Sequence, residues 1–323
     1  MVIGKRFGAA AITAALLVGC SDLPQVPSGV PALPLSPSTP AVISAEPQTP
    51  SPTPSPSVVP STPSAEPTPS GPAPALGVYS ISNFRDLAGG GKGLALAGGA
   101  RMAQGVVYRS AKLDTASKAD LATLAEAGIG NVYDLRTSDA AKDAPDPKIG
   151  KAKNTLINLY ASNILKAPTS SVKAAREHAK AQQRLFVTDF GRRKALAKML
   201  KSFASASGPV IIHCTSGKDR TGWAAAVLQL AAGASEKDVI KQYLLSNEYR
   251  AQEIEQQYAA DKAKHGASYA DVERAYAEVD KSYIQASLDE MQLRYGGIDG
   301  YLVDALGLPE STIAKIKAKL TAK

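Results

Sequence analysis

The chain has 323 residues, a net charge of +8 and 44% hydrophobic residues, enough for one large domain or two ordinary ones. Lys and Arg are spread along its length and not gathered into a run, so no nucleic-acid partner is expected. The basic balance fits solubilising charge, an anionic substrate or weak affinity for acidic lipid equally well.

Lys5 and Arg6 precede a run of small and apolar residues from 7 to 18. A charged start followed by a short apolar run is the pattern of a secretory signal, and the run is too short to span a bilayer. It ends in Leu17-Val18-Gly19-Cys20, which resembles the bacterial lipoprotein box. That resemblance implies cleavage before Cys20, acylation of Cys20, and a membrane held through the lipid. A plain signal peptide with an incidental cysteine is the other reading. Ser21 follows the cysteine; in a cell with two membranes, a residue other than Asp there leans toward the outer one. The expected location is outside the cytoplasm, lipid-anchored to a bacterial envelope, at the periplasm or the cell surface.

Most of the 22 prolines fall between positions 23 and 75, among Ser, Thr and Ala. So few large apolar residues cannot offset the entropy of ordering the chain, and no fold is expected there. A polyproline-like spacer of this length could reach on the order of 100 Å. The expected organisation is a signal peptide at 1–19, a lipidated linker at 20–75 and one folded domain at 76–323.

Within that domain, residues 106–109 read as a strand and 117–127 as a helix, with Leu121 and Leu124 on one face and Gly128 as its stop. Further strands are expected at 131–135 and 155–159, and a helix at 193–203. The β-branched run 209–213 is the best central strand. Helices at 221–232, ended by Gly233, and at 235–247, capped by Ser235, come next. Helical patterns then continue to the end, broken by Gly296, Gly297 and Gly300, with a last helix from about 309. Strands alternating with helices, then helices alone, predict an α/β domain: a central sheet flanked by helices, with a helical carboxyl-terminal portion.

Chemistry concentrates at His213-Cys214-Thr215-Ser216-Gly217-Lys218-Asp219-Arg220-Thr221-Gly222. A tight loop between a strand and a helix turns successive N–H groups inward as an anion nest, and the helix points the positive end of its dipole at the same place. Gly217 lets the backbone turn. Arg220 can offer two parallel donors to a phosphate. Cys214 would lie at the floor of the cup. A helix amino terminus and a nearby cation lower a thiol's pKa, so a thiolate would be available for in-line attack on phosphorus. Thr221 could hydrogen-bond the sulfur, and His213 would orient the loop. The other fate of such a residue is burial as a structural cysteine.

This loop resembles the CX5R signature of the tyrosine-phosphatase superfamily. Its longer form, HCxxGKDRTG, is similar to the bacterial atypical tyrosine-phosphatase family, often secreted or lipid-anchored. Asn83-Phe84-Arg85-Asp86-Leu87, Tyr108-Arg109-Ser110, Asp134-Leu135-Arg136, Tyr243-Leu244-Leu245-Ser246-Asn247 and Tyr295-Gly296-Gly297 extend the likeness across the folded part. The resemblance implies the phosphatase fold, no metal, no organic cofactor, and a phosphotyrosine-bearing protein as substrate. It also implies that phosphoserine, phosphothreonine or phosphoinositides could be accepted. The site expected from it is Cys214, Arg220 and Asp219, with His213, Thr215, Ser216, Gly217, Lys218, Thr221 and Gly222 around the phosphate.

Several assignments stay open. Lys218 is either a second cation in the cup, useful for a polyphosphorylated substrate, or a solvated lysine on the rim. The loop after the third strand, Tyr160-Ala161-Ser162-Asn163, lacks the carboxylate that some relatives carry. The general acid must then come from Asp219, Asp86, Asp134 or Asp189, and Asp219 is the expectation. Asp219 could instead position water, or pair with Arg85 or Arg136. Arg85 with Asp86, and Asp134 with Arg136, read as two acid–base pairs that hold the loop. His178 and His265 read as surface residues, and Trp223 as core. A phosphoinositide phosphatase, a catalytically silent phosphate-binding lipoprotein and a sulfur-transfer protein remain the competing functions.

Overall fold

The computed structural model describes residues 72–161 and 165–322. Cys20, the signal segment and nearly all of the proline-rich stretch lie outside the described residues.

Five strands form one sheet: β1 (Arg85–Asp86), β2 (Val107–Ser110), β3 (Asn131–Asp134), β4 (Lys153–Leu156) and β5 (Val210–His213). Their order is β1-β2-β5-β3-β4, with β1 antiparallel to β2 and every other pair parallel. The central strand is therefore the β-branched run, buried at all four positions. Helices cover both faces, which is why this strand can be continuously apolar. Its side chains still alternate. Val210 and Ile212 enter the large core with Tyr133, Leu135 and Trp223, whereas Ile211 enters a smaller one with Val132, Leu124 and Phe84.

The small core lies under α1 (Lys118–Glu126), whose first turn is capped by Ser117 accepting from the Asp120 N–H. After β3 comes the short α2 (Ser138–Asp143). The large core is built by α3 (Val172–Thr188), α4 (Phe190–Ser205), α5 (Asp219–Ala232) and α6 (Glu236–Tyr249). The hairpin of α7 (Ala251–His265) and α8 (Ala267–Ala277) follows, then α9 (Lys281–Tyr295). A short α10 (Ile298–Gly300) runs on as a π-helical turn before α11 (Glu310–Leu320) closes the fold. Helix α5 is almost wholly buried and stops at Gly233, whose left-handed φ of 99° favours a residue without a Cβ.

Several elements differ from the sequence reading: β1, α2 and α3 have no counterpart in it, and one strand is displaced. The fourth strand lies at 153–156 and not at 155–159. Ladder partners along β3 end at Asp134, so pairing stops at Leu156, while Ile157 and Leu159 turn into the core. Helix α3 was not foreseen. Its buried face, Ala175, Gln182, Gln183, Phe186 and Val187, stands opposite a strongly polar one, so a helical period is present in the sequence even though two glutamines lie on the buried side.

Candidate active site

Ser110, His213 and Asp134 sit in register at the carboxyl ends of β2, β5 and β3. Ligand crevices of parallel sheets open at this edge. Cys214 leaves β5 there. The chain then turns through residues 215–218 and enters α5 at Asp219, so Arg220 stands on the first helical turn. Gly217 has φ 67°, and a Cβ on it would lie 2.3 Å from the Ser110 carbonyl oxygen. Positive φ and this close approach both demand glycine.

The structure brings Cys214, Arg220 and Thr221 together and buries them. Burial alone would raise the Cys214 thiol. The Arg220 guanidinium, then the Thr221 hydroxyl and backbone N–H, outweigh it and bring the thiol below its ordinary value, with Asp219 pulling slightly the other way. The Thr221 hydroxyl is buried and otherwise unpartnered. Arg220 Nη2 donates to Thr215 Oγ1 at 3.1 Å, and its guanidinium stacks 4.4 Å from the centre of the Tyr160 ring. Arg192 lies 4.9 Å from the same ring. Burial pushes the Tyr160 hydroxyl up to about 12, so the ring is a neutral platform for Arg220 at physiological pH.

His213 is fully buried, with Nε2 2.9 Å from Asp146 Oδ2 and Nδ1 3.3 Å from the Cys214 carbonyl. Asp146 also accepts from Arg136 at 2.9 Å, and Arg136 grips both Asp134 oxygens at 2.9 and 2.8 Å. This network locks the base of the loop. Asp146 was missed in the sequence; it stands among turn residues and no motif marks it.

Asp134 and Arg136 do form the expected pair, but Arg85 and Asp86 do not. Neighbouring strand residues point to opposite faces. Asp86 accepts from the Ala88 and Gly105 N–H groups, while Arg85 reaches Asn83, the Gln242 carbonyl and Ser246.

Lys218 fits neither of its readings. Its ammonium donates to the Tyr276 carbonyl and to the Glu278 carbonyl at 3.1 Å, and only 11% of the side chain is exposed. The carbonyl-rich end of α8 is a natural seat for a cation. Asp219 meets Lys218 at 3.4 Å, not Arg85 or Arg136. Of the four acids considered, Asp86 and Asp134 are held as described, and Asp189 caps α4 by accepting from the Arg192 N–H. Asp219 is left at the cup with a partly exposed carboxylate.

His178 is half-buried, not on the surface. Its Nε2 lies 3.2 Å from the Leu165 carbonyl and its ring meets Tyr276 edge-on. With Tyr160, Lys218 and Asp219 it lines a small cavity of about 120 Å³. His265 is exposed and Trp223 fully buried, as expected.

Residues 76–322 match the tyrosine phosphatase family. The chain belongs to that family. A Cupriavidus necator protein bearing a tyrosine-protein phosphatase name is 34% identical over 254 residues, covering 75% of this chain and 87% of its own length. A tyrosine-protein phosphatase of Nostoc commune is 27% identical over 66% of this chain and 73% of its own. The triple specificity protein phosphatase PtpB of Mycobacterium tuberculosis is 27% identical, covering 74% and 96%. The phosphatase thus carries the α/β fold expected of it, with a five-stranded sheet flanked by helices.

Proposed function

We propose that this tyrosine phosphatase hydrolyses phosphomonoesters through a cysteinyl-phosphate, with a phosphotyrosine-bearing protein as its substrate. The observation that carries this is the Cys214 thiol held below its ordinary pKa by Arg220 and Thr221 at a loop opening a buried helix. The Cys214 sulfur attacks phosphorus in line, forming the S–P bond as the P–O bond to the leaving group breaks. Arg220 and the loop N–H groups stabilise the equatorial oxygens. Asp219 gives the leaving oxygen its proton. Water then attacks phosphorus, with Asp219 taking a proton from it; the S–P bond breaks, and the Thr221 hydroxyl supports the departing thiolate. The remaining loop residues, Thr215, Ser216, Gly217 and Gly222, with the Lys218 backbone, shape the cup, and His213 holds its base. The scheme uses no metal and no organic cofactor.

Lys218 was the support for a phosphoinositide substrate, and its ammonium is engaged by α8. Phosphotyrosine is therefore favoured. A silent phosphate receptor would have no use for a thiolate. We further propose that the protein is exported and anchored to the bacterial envelope by lipid on Cys20.

The test is hydrolysis of para-nitrophenyl phosphate by the wild type and by Cys214→Ser, with and without chelator. Turnover that the chelator leaves intact and the variant abolishes supports the scheme. A wild type that binds vanadate without turning over substrate sinks it. For the anchor, the expressed chain should partition into detergent and Cys20→Ser should not; equal partitioning overturns it.

A further inference from the structure

Two arginines packed behind the loop have no carboxylate partner among the described residues. Arg109 is 2% exposed and Arg85 is 3% exposed. A buried cation without a counter-charge is costly. Burial, and then the neighbouring Arg109, push Arg85 far below its ordinary value. Burial brings Arg109 down to about 10, and the groups opposing that fall are Cys214 first, then Tyr243 and Asp219. Arg109 is thus still charged at neutral pH, and the nucleophile is the first of the groups that answer its charge.

A second observation concerns the loop carbonyls. Arg109 Nη2 donates to the Gly217 carbonyl at 2.7 Å. Asn83 Nδ2 donates to both the Ser216 and Gly217 carbonyls, each at 3.0 Å. Asn83 does this from a buried position with φ 60°, a conformation in which a residue other than glycine is uncommon. Arg85 holds Asn83 in turn through its carbonyl at 3.1 Å and through its side-chain oxygen. In a trans peptide the C=O and the following N–H point in opposite directions. Drawing the Ser216 and Gly217 carbonyls toward β2 therefore turns the Gly217 and Lys218 N–H groups the other way, to the front of the loop.

We infer that Asn83 and Arg109 are positioning residues of this phosphatase: by gripping the Ser216 and Gly217 carbonyls from behind they aim two loop N–H groups at the phosphate, and Arg109 adds a fixed positive charge behind the Cys214 sulfur. The inference rests on the cysteinyl-phosphate reading and assigns its back wall. Arg220 and Thr221 have the main hold on the sulfur, from α5, with Asp219 opposing them; Arg109 adds a weaker charge from β2, where its guanidinium meets the Gly217 carbonyl.

The experiment uses the full chain carrying Cys20→Ser, in which Cys214 is the only thiol. Thiolate absorbance is followed against pH and vanadate affinity is measured, neither of which needs turnover. Hydrolysis of para-nitrophenyl phosphate by this parent checks the underlying reading separately. Arg109→Met should raise the thiolate midpoint by about half a pH unit, and Arg109→Lys should restore it. Asn83→Gly keeps the left-handed backbone and removes the amide. It should leave the midpoint unchanged and weaken vanadate about tenfold. A merely structural role would not split charge from orientation in this way. An unshifted midpoint in folded Arg109→Met, or parent-like vanadate affinity in Asn83→Gly, overturns the inference. If Arg109→Met does not fold, Arg109→Lys decides its half: a parent-like midpoint with weakened vanadate supports the grip, and unchanged vanadate affinity overturns it.

Discussion

Thr221 stands against Cys214 with a hydroxyl that has no other partner, and that arrangement makes its role separable from the fold. Thr221→Val keeps the shape and removes the bond. The thiolate, not the thiol, is the nucleophile, so kcat/KM rises with pH as Cys214 ionises. The folded value lies below the ordinary 9.0, and the acid limb of the profile lies below that pH too. Losing the hydroxyl should move this limb upward while leaving the limiting rate at high pH much less affected; an unmoved limb would remove Thr221 from the chemistry. Asp219 is separable by leaving group. An aryl oxide departs with little help from a proton, and an alkoxide does not. Asp219→Asn should slow an alkyl phosphate by about 10²-fold or more and an aryl phosphate by much less. Equal losses on both substrates would assign Asp219 to positioning water.

The network of Asp134, Arg136, Asp146 and His213 joins the ends of β3 and β5 to the loop between α2 and β4. Arg136 is 1% exposed and divides its donors between the two carboxylates and the Ala144 carbonyl. Asp146→Ala leaves the guanidinium buried with half of its counter-charge and takes from His213 the carboxylate it is hydrogen-bonded to. Removing one partner of a buried pair costs about 3–5 kcal/mol, so the midpoint of thermal unfolding should fall by several degrees, and a drop within error would show that water replaces the carboxylate. Asp134 and Arg136 were legible because they lie two apart in the chain, the acid ending β3 and the arginine just beyond it. Asp146 was not, because nothing local announces a residue whose partners come from β3 and β5. The same limit governs Lys218, whose neighbours at the end of α8 lie some sixty positions away and drew it off the cup. The loop itself was legible because strand, turn and helix are contiguous, so nucleophile, glycine and arginine are set by local geometry. Tyr160 lies on another segment, and its place under Arg220 is settled by how α3 and α4 pack, which no local pattern encodes.

At the scale of the whole chain, the family match begins at residue 76, and the contacts show where the domain needs its first residues. Val78 is fully buried in the small core with Ile81 and Phe84. Ser80 donates from both its N–H and its hydroxyl to Asp120 on α1, at 2.7 and 2.6 Å. Upstream, the Ala73 carbonyl accepts only a long bond from Tyr249, at 3.4 Å. A chain beginning at Pro72 should therefore unfold at the same temperature as the unacylated full-length protein and turn over para-nitrophenyl phosphate at the same rate. A chain beginning at Ser80 loses the burial of Val78, about 1.5–3 kcal/mol. In a domain of this size each kcal/mol lowers the unfolding midpoint by roughly 2–4 °C. Asn83 follows three residues later and holds the loop carbonyls, so this loss reaches the site: activity should fall at temperatures where the longer chain is still fully active. If the two truncations melt together, Val78 is dispensable and the small core closes without it. If the Pro72 chain itself melts below the full-length protein, residues before 72 contribute to the fold, and the expectation of an unfolded linker there is wrong.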